Sequence, residues 1–162
     1  FTGLRYSDVI NLKKNQIHKE KDSTGNETYA ICIRPIKTSK TSGQLLKSPL
    51  SQEAAKILKN INSDKNSDMV FSDLPSKMVL NDYLKKWAKL AGLQKKIYFH
   101  VARHTFATLC LTSGVDIYTV SKLLGHSNLN TTQVYARIID EKKQKEIQKF
   151  PDFFKKKDTK II

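Results

Sequence analysis

Two glycines constrain this chain more than any other residues. Gly114 and Gly125 divide the stretch FHVARHTFATLCLTSGVDIYTVSKLLGHSNLNTTQVYARI, from Phe99 to Ile138, into three short helices. The first is predicted from about His100 to Thr112. Asp116 caps the second, which turns Ile117, Val120, Leu123 and Leu124 inward, and Asn130 caps the third. His100 and Arg103 open the first helix, His126 directly follows Gly125, and Tyr135 lies in the third.

The N-terminal part reads differently. Ser7 and Asp8 can cap a short helix containing Val9, Ile10 and Leu12. Three short strands follow, at about Gln16–Lys19, Thr28–Ile33 and Leu45–Pro49, with Ser23 to Asn26 as the turn between the first two. The loop from Lys37 to Gln44 is rich in Ser, Thr and Lys, making the second connection a long basic hairpin. Ser51 caps a helix to about Asn60. Another from about Lys77 carries Leu80, Leu84, Trp87 and Ala91 on one face and stops at Gly92. The expected class is α+β: a mainly helical domain with a small three-stranded antiparallel sheet. Its 162 residues suit one domain.

The formal net charge is +14, which favours a polyanionic partner, and nucleic acid is the usual one. A generally lysine-rich proteome would give the same surplus. No apolar run reaches membrane-spanning length and no signal peptide opens the chain, so a reducing cytoplasm is expected. Cys32 and Cys110 read as small buried residues rather than a disulfide pair. The opening Phe1-Thr2-Gly3-Leu4 reads as the interior of a domain, so a piece of a longer protein is expected. The tail from Lys142 is lysine-rich, interrupted by Pro151, with Phe150, Phe153 and Phe154 as an aromatic cluster.

The candidate chemistry is phosphoryl transfer. Arginine stays charged and offers phosphate a planar fork. Arg103 is expected in the first turn of its helix, where the dipole also favours an anion. Arg5 can point from a helix start into the same site, and Asp8 could hold it by an ion pair. Either arginine alone reads as surface. His100 and His104 stand four apart, a spacing that can also bind metal, but there is no HExxH and no third ligand at a recognised spacing. His104 alone is most simply a packed helical residue. His126 is otherwise a loop histidine and Tyr135 a core tyrosine. As a nucleophile, Tyr135 needs a cationic site, because phenol ionises only near pH ~10. Lys37 and Lys40, near the hairpin tip, could protonate a leaving oxygen.

Taken together, TGLRYSDV, HVARHTFAT and LLGHSNLNTTQVYA resemble the three active-site boxes of the tyrosine recombinase (phage integrase) family, in family order and across nearly the whole chain. Ala102 stands where leucine is commoner in the second box. The wording of ARHTFAT and TTQVYA is most similar to integrases of Bacteroidetes mobile elements. The resemblance implies the DNA breaking-rejoining fold. It also implies that Arg5 and Arg103 clamp the scissile phosphate of double-stranded DNA, with His100 assisting proton transfer. His126 would donate to a non-bridging oxygen, and Tyr135 would attack to give a 3′-phosphotyrosine and a 5′-hydroxyl. Lys37 best matches the family's hairpin lysine, with Lys40 as alternative; His104 is supporting. No metal or nucleotide cofactor is implied. Strand exchange would proceed in a homotetramer on DNA, although the isolated fragment could be a monomer. The family's separate core-binding domain and the helices before the first box are missing. Two other functions remain open: a non-catalytic DNA-binding module with this fold, and a type IB topoisomerase-like activity.

Overall fold

The computed structural model describes residues 2–38, 44–61 and 66–148. Helix α1 (Tyr6–Ile10) leads through a 3-10 turn at Lys14–Gln16 into β1 (Ile17–Lys21), β2 (Glu27–Ile33) and β3 (Leu46–Pro49). The helices α2 (Gln52–Asn60), α3 (Lys77–Leu90), α4 (Phe99–Thr112), α5 (Ile117–Leu123) and α6 (Asn130–Ile147) complete the order. The sheet is antiparallel with order β1-β2-β3, placing Ile17 opposite Ile31 and Ile33 opposite Leu46. This is the expected α+β class. The β1–β2 turn is held by Asp22, whose Oδ1 accepts from the Thr24 and Asn26 amides at 2.9 Å each.

Two apolar clusters hold the described residues together. One joins Leu4 and Leu12 to Ile31, Ile33 and Leu46 of the sheet and Ala54 of α2. The other joins Ala107 of α4, Val120 and Leu124 of the α5 region, and Tyr135 of α6. The candidate nucleophile thus sits on a packed helix face, where burial fixes its direction.

Caps behave as the residue types dictate. Ser51, Ser76 and Asp116 accept the Ala54, Val79 and Thr119 amides and start α2, α3 and α5. The expected caps of α1 and α6 shift. Arg5 is the residue before α1, so Ser7 and Asp8 lie inside that helix. Asn130 is the first helical residue of α6, and the side chain of Asn128 accepts its amide at 2.8 Å. An Asx turn two residues earlier fills the role assigned to Asn130.

The buried side of α3 also differs. Trp87 is 70% exposed and Ala91 is exposed, whereas Ala88 is buried. The cause is how α3 meets α4: Asn81 Oδ1 accepts the Phe99 amide at 2.8 Å, turning the side with Asn81, Leu84 and Ala88 inward. A helical stripe fixes an apolar side only to within a residue or so.

Candidate active site

Arg103 is the anchor. It is 3% exposed, and its guanidinium donates to the Gly3 carbonyl at 2.7 Å and the Leu124 carbonyl at 2.6 Å. One side chain therefore ties the start of the chain to the end of α5. Guanidinium carries five N–H donors, so these bonds leave capacity for a further acceptor. Since α4 starts at Phe99, Arg103 lies in its second turn, and the expected help from the helix N-terminus does not apply. Its tuning comes from burial and from neighbouring Arg5, which together pull its pKa down to about 10. It remains charged at neutral pH.

The backbone on both sides of Arg103 depends on glycine. Gly3 adopts φ +63°, and a Cβ there would lie 2.5 Å from Phe106 Cδ1 and 2.9 Å from Leu124 Cδ2. Gly125 also adopts φ +63°, and its amide bonds the Lys122 carbonyl while that of His126 bonds the Ser121 carbonyl. This paired end to a helix releases the chain sharply and delivers His126 to the site, as the sequence predicts.

His126 is fixed by a residue that the sequence reading passed over. Its Nδ1 lies 2.8 Å from Thr132 Oγ1, and Thr132 is fully buried in the first turn of α6. The TTQVY wording places Thr132 one turn before Tyr135, but only its burial, which the sequence does not show, makes a partner necessary. Burial first, then the charges of Arg103 and Arg5, lower the His126 pKa to about 4. The ring is neutral at pH 7, and in the tautomer whose Nδ1 accepts the Thr132 hydroxyl proton, the Nε2–H is left to donate.

Arg5, His100 and Lys37 share one cavity. It measures about 330 Å³ and is lined by Arg5, Tyr6, Ser7, Lys37, Lys77, Phe99 and His100. Burial, followed by the charges of His104, Arg103, Arg5 and Lys77, lowers the His100 pKa. Arg5 Nη1 is buried, and among the described residues no acceptor meets it. A buried donor without a partner costs about 1–3 kcal/mol, so this nitrogen marks a place for an anion.

Asp8 acts elsewhere than expected. It is buried, and its Oδ1 accepts the Ile36 amide at 3.0 Å; no ion pair joins it to Arg5 among the described residues. The bond instead fastens the turn bearing Lys37 to α1. Lys37 is exposed and lines the cavity, while the alternative, Lys40, lies outside the described residues.

Tyr135 is 6% exposed, and its hydroxyl stands 3.0 Å from His104 Nδ1. His104 packs edge-on against His100, with ring centroids 4.7 Å apart. It is thus a hydrogen-bond partner of the candidate nucleophile rather than only a packed side chain. Burial raises the Tyr135 pKa above its ordinary value, while Arg103 and Arg5 oppose the rise.

The assembled site defines a class: a cation-lined pocket suited to an anion, with a buried tyrosine near it. The phage integrase family model matches residues 1–142, and the chain belongs to that family. Tyrosine recombinase XerA of Pyrococcus furiosus is 34% identical over 142 residues, covering 85% of this chain and 46% of that protein. A tyrosine recombinase of Pseudothermotoga lettingae is 47% identical over 66 residues, 41% of this chain and 23% of its own length. The chain thus spans about half or less of the curated relatives it matches. Among solved structures, the XerH recombinase bound to a palindromic difH substrate in a post-cleavage complex superposes with a TM-score of 0.70 at 25% identity. That match covers 93% of this chain and 42% of XerH. The Tn1549 transposon integrase in complex with circular intermediate DNA shares the fold, with a TM-score of 0.60 at 19% identity over 87% of this chain and 56% of its own.

Proposed function

We propose that this chain is the catalytic part of a site-specific DNA recombinase that breaks and rejoins DNA through a 3′-phosphotyrosine. The observation that carries the proposal is the buried Arg5 Nη1 with no acceptor among the described residues, close enough to Arg103 and Tyr135 for its charge to act on both. A phosphodiester supplies the missing acceptor and the negative charge that buried Arg103 and half-buried Arg5 call for.

In this reaction Arg5 and Arg103 bind the scissile phosphate, and neutral His126 donates to a non-bridging oxygen. Tyr135 Oη attacks phosphorus, its proton passing toward His104 and His100. The bond to the 5′-oxygen breaks, and Lys37 protonates that oxygen as it leaves. Reversal with a 5′-hydroxyl from another strand rejoins DNA. Bond energy is kept in the phosphotyrosine, so no nucleotide is consumed. The complete recombinase works as a homotetramer on two DNA sites in the cytoplasm. The wording of ARHTFAT and TTQVYA supports a place among integrases of Bacteroidetes mobile elements.

The test begins with a duplex enriched by the full recombinase from a random-sequence pool, placed once or twice in supercoiled plasmid. Exchange between paired copies supports the proposal. Relaxation that ignores copy number would indicate a topoisomerase, and binding without strand breakage would indicate a non-catalytic module.

A further inference from the structure

The cavity that holds Arg5, Lys37 and His100 contains one cation to which the family motifs give no role. Lys77 is the first residue of α3 and lines the same wall, and its charge is close enough to help lower the His100 pKa. No ion pair engages it among the described residues. Its place does not serve the helix, because a cation at a helix N-terminus opposes the dipole. There is also no acidic residue in the first turn of α3 to offset it.

Two bonds fix that helix start against the site. Tyr6 Oη, one residue after Arg5, donates to the Pro75 carbonyl at 2.8 Å. Asn81 Oδ1 accepts the amide of Phe99, the residue before His100. The Tyr6 and Phe99 rings then pack edge to face, with centroids 5.3 Å apart. The start of α3 is thereby clamped to the elements that carry Arg5 and His100, and Lys77 is held at their edge. Arg103 is buried and Arg5 half-buried, whereas Lys77 is exposed in the wall of the cavity.

We propose that Lys77 binds the DNA phosphate adjacent to the scissile one, and that Tyr6 is the positioning residue that holds it there. This rests on the recombinase reading and extends it: Lys77 sets strand register, and with it which phosphate enters the site. It is distinct from leaving-group catalysis, which belongs to Lys37.

The test uses the duplex enriched from a random pool by the full recombinase. Binding is measured against salt for the unaltered protein, Lys77→Ala, Lys77→Arg and Tyr6→Phe. Loss of one phosphate contact should lower the slope of log K against log salt by about 0.9 in Lys77→Ala. Lys77→Arg should restore it, and Tyr6→Phe should fall between. Replacing single phosphates by neutral methylphosphonates should then reveal one position, next to the cleaved bond, where Lys77→Ala costs nothing further. Cleavage by Lys77→Ala should be equally slow on ordinary and 5′-bridging phosphorothioate DNA. An unchanged salt slope, or an added loss at every methylphosphonate, overturns the inference while leaving the recombinase reading standing. Failure of the unaltered protein to enrich or cleave any duplex sinks the recombinase reading itself.

Discussion

At the scale of single residues, Arg103 is a brace: two of its donors hold backbone carbonyls before any substrate binds. His126 is kept neutral by burial and by nearby cations, which has a consequence for stability. Between pH 6.5 and about 4, the unfolded chain binds a proton at this position and the folded chain does not. Stability should therefore fall as pH drops through that window, and His126→Gln should flatten the fall in urea titrations. A His126 resonance titrating near 6.5 in the folded protein, assigned by its loss in His126→Gln, would contradict this. Lys37 carries the leaving-group assignment. Lys37→Ala should cleave ordinary DNA at least ~100-fold more slowly, as general-acid loss commonly does. It should recover substantially on a 5′-bridging phosphorothioate, whose sulfur leaves without protonation. Rescue of Lys40→Ala instead would move the role to Lys40.

At the scale of elements, the site exists because distant segments are tied together at glycines and caps. Gly3 lets the first box approach α4, and no side chain fits there. Gly3→Ala should destabilise the protein by about 2 kcal/mol or more, through both its positive φ and its overlap with Phe106. It should also reduce cleavage, by shifting the carbonyl that orients Arg103; thermal melting and cleavage assays check both effects. Helix α6 continues from Tyr135 to Ile147, with its described side chains beyond Asp140 exposed. The basic tail expected from Lys142 therefore begins as nearly two further turns of the helix that carries Tyr135, and Phe150, Pro151, Phe153 and Phe154 lie outside the described residues. We propose that this end joins neighbouring subunits. Deletion from Lys142 onward in the full recombinase should leave single-site binding in gel shifts but impair pairing of two sites. Normal recombination after deletion would remove the assembly role.

At the scale of the whole molecule, the sequence made the class and the spacing of the site legible, because caps, glycines and the three boxes are local signals. Three short strands and the helices from Ser51 onward appear within a few residues of their expected places. What depended on tertiary contact was not legible. The inward side of α3 is set by Asn81 against Phe99, and the partner of Asp8 is an amide 28 residues away. Thr132 became visible as a site residue only once His126 was seen beside it. Among the described residues, no helix is long and apolar enough to cross a membrane. The surplus of 29 basic over 15 acidic residues suits a DNA-binding surface.

The central claim is that Tyr135 becomes covalently joined to DNA through a phosphate held by Arg5 and Arg103. It is tested most directly by trapping the adduct on a nicked duplex of the enriched site, in excess EDTA, and sequencing the DNA-linked peptide by mass spectrometry. The account predicts one 3′-phosphotyrosine, at Tyr135, formed without added metal and absent in Tyr135→Phe, which still binds the duplex. An adduct on another residue, one that persists in Tyr135→Phe, or a strict need for divalent metal in the cleavage step would contradict it.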